Sequence, residues 1–593
     1  LKIVKANTLP VIVESSCYEQ SRSFVSTRYP VSLCQMSAAG FGLLKAANQK
    51  LCPILEEKMS DKVLFENGNV ITIDQKLPLA NNILVEGSTI RGLNVEKDSL
   101  SSNVEVYDLE GETVVPGLND SHLHMVSYGI SLDMVDLNDV GSLEEVKDRV
   151  EKHIHSDQIE EGEWVFGRGW NEENFTDTKE MNKEDLDEIS QKHPIVLTRT
   201  CGHLRVLNSR ALKECGITPK TEVEGGVIET DEEGNLTGLI AEEAKELLYD
   251  SMPDYSVEDF KRFIKNAGEK FRKSGLTTVQ SDDLEASNEP KEKVLKAFFE
   301  LLEDDELPLK VNMQLQIKSP KEIAEFFTGH QERVFSDYLS FGPLKIVPDG
   351  SLGAKTAAMN EPYLGDENNY GVLIYSKTNL EAKIDAAYRH GVQVACHAIG
   401  DRTIETFLDI IEKMKDKYGR TGRPRIIHAQ ITNMDLIERM KDLNVVADAQ
   451  PAFVGTDWRV AENVLGRERC FNTYAWKTML NKGIVVSGGS DAPVETYNPF
   501  VGIECAVNRQ NSDSNPPGGW IPQEKVTVFE ALKMYSVNSA YSCYQEDRIG
   551  TLAPNYKADF LIIDQNPFEI PSKDLDSIEV QTSVINGNIK EYE

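Results

Sequence analysis

The chain has little cysteine, no long apolar run and a deficit of positive charge. Nine cysteines are spread over 593 residues and no Cys-x-x-Cys occurs. A disulfide framework is therefore excluded, and a reducing, cytoplasmic setting is expected. No stretch of about 18 apolar residues is present, which excludes a transmembrane helix. There are 63 Lys and Arg against 97 Asp and Glu, a formal net charge of −34. Such a balance argues against nucleic acid or an anionic membrane surface as partner, and otherwise reads as solubility. Internal repeats and long low-complexity tracts are also missing. What is there suits a soluble globular protein, with 40% hydrophobic and 27% charged residues. At 593 residues two or three domains are expected, because a single core does not grow that large.

The first 58 residues differ from the rest. They are slightly basic, Ser-rich in places, and hold Cys17, Cys34 and Cys52. Met59-Ser60-Asp61-Lys62-Val63 reads as a change of character. Residues 1–58 are expected to be an extension outside the folded enzyme. A targeting segment there would imply an organelle rather than the cytoplasm.

From about residue 62 to 115 the chain reads as short strands broken by turns, with Asn67-Gly68 as a hairpin signal. Strand and helix patterns then alternate, which predicts βα units. Eight candidate parallel strands follow: Thr113 to Leu118, Leu276 to Gln280, Lys310 to Gln316, Leu344 to Val347, Val392 to Cys396, Arg425 to Ile427, Val445 to Ala449, and Ile484 to Ser487. Eight is the number a (β/α)8 barrel requires. Ile404, Phe407, Leu408 and Ile411 form a helical stripe that Gly419 ends. Thr527-Val528-Phe529-Glu530 is a capping box. The long gap between the first two strands predicts an insertion over about 140–255, covering the barrel mouth.

The chemistry collects at predicted strand ends. His122 and His124 follow an apolar run, and side chains at i and i+2 of a strand share a side. His397, His428 and Asp491 each close another β-like run. In a βα barrel the C-terminal strand ends carry the reactive groups. Each histidine alone is more often an ordinary core or surface residue; five such coincidences are not. Imidazole and carboxylate donors suit Zn²⁺, with Fe, Mn, Co or Ni as alternatives. Cys201 and Cys396 flank site residues and read as buried structural thiols.

The order His-x-His, His, His, Asp resembles the amidohydrolase superfamily of metal-dependent hydrolases, from about Val63 to Ile585. It is most similar to the YtcJ-like (amidohydrolase 3) branch, which includes N-substituted formamide deformylase. Gly167-Arg168-Gly169-Trp170, Gly202-His203, Gly225-Gly226-Val227-Ile228 and Asp349-Gly350-Ser351 carry this narrower resemblance. The resemblance implies an α/β fold: a (β/α)8 TIM-like barrel over 116–544, with both chain ends, 59–115 and 545–593, meeting in a small β-sandwich. It further implies that Lys345 is carboxylated and bridges two ions, His122 and His124 holding one and His397 and His428 the other. The alternative is one ion, with Lys345 paired to a carboxylate. His203 would hydrogen-bond the substrate or its oxyanion, or else fix the insertion.

Asp491 is the candidate both for metal ligation and for proton transfer, taking a proton from water and passing it to the leaving nitrogen. The expected activity is hydrolysis of a non-peptide carbon–nitrogen bond in an N-acyl or N-formyl amide. Two further readings are carried: ring deamination or cyclic-amide opening at the same site, and a regulatory protein on this scaffold. The expected partner is a small-molecule substrate, with a homodimer as the family's assembly.

Overall fold

The computed structural model describes residues 62–592, except 101–102, 139, 157–158, 172–174, 176–180, 200–203, 224–225, 250, 253 and 288. The expected extension over 1–58 lies outside the described residues. At the centre is an eight-stranded, all-parallel sheet whose neighbours follow chain order. Its strands are β1 (Leu118–Leu123), β2 (Leu276–Asp282), β3 (Lys310–Gln316) and β4 (Leu339–Ile346). They continue as β5 (Val394–Ala398), β6 (Arg425–His428), β7 (Val446–Ala449) and β8 (Val486–Gly488). Past their ends β1 and β8 meet, where Asp491 N donates to His122 O at 2.8 Å and His124 N to Ala492 O at 2.8 Å. The fold is a TIM-like barrel.

Period two builds the barrel wall. In β3, Val311, Met313 and Leu315 alternate with Asn312, Gln314 and Gln316. The apolar set joins the main core, and the other set points to the opposite side, toward the barrel axis. The outer helices follow the 3.6-residue period. Helix Asp401–Tyr418 buries Ile404, Phe407, Leu408 and Ile411, the stripe read from the sequence. Gly419 ends it in the left-handed region at φ 67°, where a side chain is disfavoured.

Helix Val528–Met534 starts with the expected capping box. Thr527 Oγ1 accepts from Glu530 N at 3.2 Å, and Glu530 Oε2 accepts from Thr527 N at 2.8 Å. Thr527→Ala leaves that amide unpaired and is expected to cost about 1 kcal/mol, read as a lower urea midpoint with an unchanged slope.

Two expectations are corrected. Thr113–Pro116 is not the first barrel strand: it pairs antiparallel with Phe560–Ile563 in a six-stranded sheet built from both ends of the chain. Pro116 has no amide to continue the ladder, and Gly117 turns the chain with its N donating to Asp559 O at 3.0 Å. A Cβ on Gly117 would lie 2.3 Å from Thr277 Oγ1. The true first strand begins at Leu118, and its interior is polar: Asn119, Asp120 and Ser121 are all buried. Asn67-Gly68, in turn, does not close a hairpin. Lys62–Glu66 pairs within a four-stranded sheet, whereas Asn69–Ile71 belongs to the six-stranded one. The turn is held instead from outside, by Leu109 N on Glu66 O and Gly111 N on Asn67 O, both at 2.8 Å.

These two sheets share one core around Phe65, Val85, Val114, Phe560 and Val584, the small β-sandwich. One of its ties to the barrel is a buried ion pair between Lys310, which opens β3, and Asp559. The insertion between β1 and β2 forms a sheet of six strands from Val135 to Glu242 with two cores of its own. Trp170 is buried in one of them. Among the described residues no helix is long and apolar enough to cross a membrane.

Candidate metal centre

The C-terminal ends of five barrel strands bring His122, His124, Lys345, His397, His428 and Asp491 together. The His122 and His124 Nε2 atoms stand 3.3 and 3.2 Å from Asp491 Oδ1. These three residues offer ligand atoms that all lie within 4.8 Å of one another. His397 Nδ1 and His428 Nε2 are 3.1 Å apart. Lys345 Nζ lies 2.9 Å from His122 Nε2 and 3.8 Å from Asp282 Oδ2. The His122 and His428 ring centroids are 6.0 Å apart, so the two halves form one cluster. His203 lies outside the described residues.

Each imidazole is aimed by the nitrogen that faces away from the cluster. His122 Nδ1 donates to Gln314 Oε1 and His428 Nδ1 to Gln450 Oε1, both at 2.9 Å. The orientation of these amides is fixed, since Gln314 Nε2 donates to Ser121 O at 2.9 Å and Gln450 Nε2 to Asp448 O at 3.1 Å. His124 Nδ1 donates to the Asp282 carbonyl at 2.8 Å, and His397 Nε2 to the Gly350 carbonyl at 3.2 Å. An imidazole whose outer nitrogen carries its one proton presents a lone pair inward.

This is the arrangement that tests the fit of a metal. His397 Nδ1 and His428 Nε2 then point lone pairs at each other across 3.1 Å, which is repulsive without a cation between them. Donors bound about 2.0–2.2 Å from one tetrahedral ion stand about 3.4 Å apart. The His122, His124 and Asp491 spacings match that value too. The donor set fits a divalent metal.

Burial governs the charges. It pushes the His122, His397 and His428 rings down, toward the neutral ligand form. It pushes the Lys345 amine down as well, against the pull of Asp282 and Asp491. For Asp491 burial acts upward, but the close His122 and His124 imidazoles win and hold the carboxyl well below the usual range. The same Asp491 contact overcomes burial at His124 and raises it to about 9.

The backbone is bent to deliver these groups. His428 and Asp491 adopt φ of 76° and 61°, a region few non-glycine residues occupy and one that clusters at functional sites. Asp349, fully buried, accepts from Gly400 N at 2.9 Å and Thr403 Oγ1 at 2.7 Å, which pins the start of helix Asp401–Tyr418. It also stands 3.4 Å from His397 Nε2. The Asp349-Gly350 turn therefore sets a ring as well as a loop. Cys396 is a buried thiol pushed upward by burial.

Gln314, Gln450 and Asp282 were not anticipated, and Asp349 was read only as part of a turn, not as a partner of His397. For Gln314 the signal was present: a polar residue at every second position of an otherwise apolar strand marks an occupied barrel interior.

A closed parallel barrel with imidazoles and a carboxylate at its C-terminal strand ends defines a metal-dependent hydrolase. Known proteins agree. The model described as "Amidohydrolase family" matches residues 105–590, and the chain belongs to that family. It is 32% identical over 533 residues to the YtcJ protein of Bacillus subtilis (strain 168), named as an amidohydrolase, covering 89% of this chain and 99% of that one. It is 27% identical over 553 residues to the N-substituted formamide deformylase of Arthrobacter pascens, covering 90% and 98%. Among solved structures, an uncharacterized metal-dependent hydrolase of Pyrococcus horikoshii OT3 superposes with a TM-score of 0.72 at 27% identity, covering 86% of this chain and 99% of that one.

Proposed function

We propose that this amidohydrolase cleaves the non-peptide carbon–nitrogen bond of an N-acyl or N-formyl amide, and that its centre is built by His122, His124, Lys345, His397, His428 and Asp491. The observation that carries the reading is the 3.1 Å approach of His397 Nδ1 to His428 Nε2 beside the Asp491 carboxylate contacted by His122 and His124. Zinc suits these nitrogen and carboxylate donors best. A divalent ion held by these residues would acidify water and polarise a carbonyl.

The protein's own groups do the rest. Asp491, kept ionised by its two imidazole contacts, accepts the water proton and returns it to the leaving nitrogen. Lys345, buried beside His122 with its amine pushed toward neutrality, is suited to carboxylation as a bridge between two ions. Phe453, half-buried with its ring 6.0 Å from that of His428, offers an apolar wall for the acyl or N-substituent. The resemblance to an N-substituted formamide deformylase over 98% of that protein favours a formyl or short acyl group.

The test is a turnover screen of the metal-loaded protein on N-formyl, N-acyl, carbamoyl and cyclic amides, with metal counted per chain. Formate or carboxylate release from an open-chain amide supports the reading. Turnover confined to ring amidines or cyclic amides, or none at all with a full complement of metal, overturns it. Gln450→Leu removes the acceptor that fixes the His428 tautomer. It is expected to weaken metal binding by about 10–100-fold, measured by competition with a chromogenic chelator.

A further inference from the structure

The opposite face of the barrel holds a cavity of about 310 Å³. Its walls come from the N-terminal ends of the strands: Asn312 in β3, Ser340 and Gly342 in β4, and Gln393 just before β5. The metal-centre residues lie at the other ends of these strands, so this is a separate site. Its volume is at the lower end of small-molecule pockets.

The lining is one-signed. Arg333, Arg420 and Arg548 face it, and no Asp or Glu lines it, in a chain of net charge −34. Arg548 is paired with Asp337. The other two guanidiniums meet no carboxylate among the described residues; their hydrogen bonds go to carbonyls, and Arg333 Cζ also lies 5.5 Å from the Phe327 ring centroid. Arg333 Nη1 donates to Gly391 O at 3.1 Å and Nη2 to His390 O at 2.5 Å; Arg420 Nη2 donates to Tyr388 O at 2.9 Å. Carbonyl groups leave the charges uncompensated. Burial and the nearby Arg420 both act to lower Arg333.

Like charges held together around a cavity without a facing carboxylate describe a site for an anion. We propose that this cavity binds a small organic anion, its phosphate or carboxylate held by Arg333 and Arg420. Guanidinium pairs bind such oxyanions bidentately. Phe341 and Tyr388 supply an apolar flank for the carbon skeleton.

Calorimetric titration of the full-length, metal-loaded protein tests this with inorganic phosphate, glycerol 3-phosphate and malate. Saturable binding of glycerol 3-phosphate or of malate is expected, and tighter binding of one over the other identifies the head group as phosphate or carboxylate. Arg333→Met should weaken it by about tenfold or more, the loss of charge-assisted hydrogen bonds. Asp491→Asn should leave it unchanged, which separates this cavity from an anion bound at the metal. Arg333 also props the loop at His390 and Gly391, so Arg420→Ala, at an exposed position, provides a second variant whose fold does not depend on that contact. No binding of any probe, binding that both arginine variants retain, or binding that Asp491→Asn abolishes overturns the proposal.

Discussion

Asp491→Asn is expected to retain most of its metal and lose turnover by about 10²–10⁴-fold, the contribution of a positioned acid–base group. The substitution suits the question because it is close to isosteric. An asparagine oxygen can still face the His122 and His124 Nε2 atoms that stand 3.3 and 3.2 Å from Asp491 Oδ1. Position 491 also has φ of 61°, a conformation that asparagine and aspartate tolerate better than other side chains. Its amide donates to His122 O, a main-chain contact the change does not touch. The fold and the donor geometry are therefore preserved, and only the proton-accepting charge is removed. Single-turnover rates and metal content on the same preparation check this. A variant within about tenfold of the parent rate would exclude Asp491 as the base; one that loses its metal as well would assign it to ligation alone.

Most of the barrel and all five histidine and aspartate candidates outside the insertion were legible, for one reason. Short apolar runs that end in a metal-competent residue announce both a barrel strand and a candidate ligand, as Arg425-Ile426-Ile427-His428 does. The stripe Ile404, Phe407, Leu408, Ile411 and the stop at Gly419 work the same way at period 3.6. Legibility failed where the interior is polar. Leu118–Leu123 carries Asn119, Asp120 and Ser121, all buried, and so looks like a loop after Pro116-Gly117. It failed again where tertiary context decides: the Asn67-Gly68 turn is locally competent for a hairpin, but the next strand finds its partners in another sheet. The glutamines that orient His122 and His428 come from other strands, Gln314 from β3, two strands away from β1, and Gln450 from just past β7, so no local pattern links them to the rings.

The same polar interior makes Arg425 the position where a single change should cost most stability. Its side chain is fully buried inside the barrel. Arg425 Nε donates to Asp448 Oδ2 at 2.7 Å, Nη1 to Gln280 Oε1 at 2.6 Å and Nη2 to Ser121 O at 2.7 Å. Ser487 donates to the other Asp448 oxygen. One guanidinium thus gathers β1, β2, β6, β7 and, through Asp448, β8. Arg425→Met keeps the volume but strands a buried carboxylate, at an expected cost of about 3–5 kcal/mol, a large part of the ~5–15 kcal/mol typical of a folded protein.

The origin of that cost is testable. If it is the stranded charge, Arg425→Met/Asp448→Leu should recover most of it, since replacing both partners removes the unpaired group. The pH dependence has a definite sign. Burial already pushes the Asp448 carboxyl up against the opposing pull of Arg425. Without Arg425 it rises further, so the folded variant holds a proton that the unfolded chain releases, and stability falls as pH increases above the ordinary carboxylate range. The deficit in urea midpoint should accordingly be larger at about pH 8 than at about pH 5. A deficit independent of pH that the double variant does not repair would mean that packing around the arginine stem, rather than its charge, holds the barrel interior together.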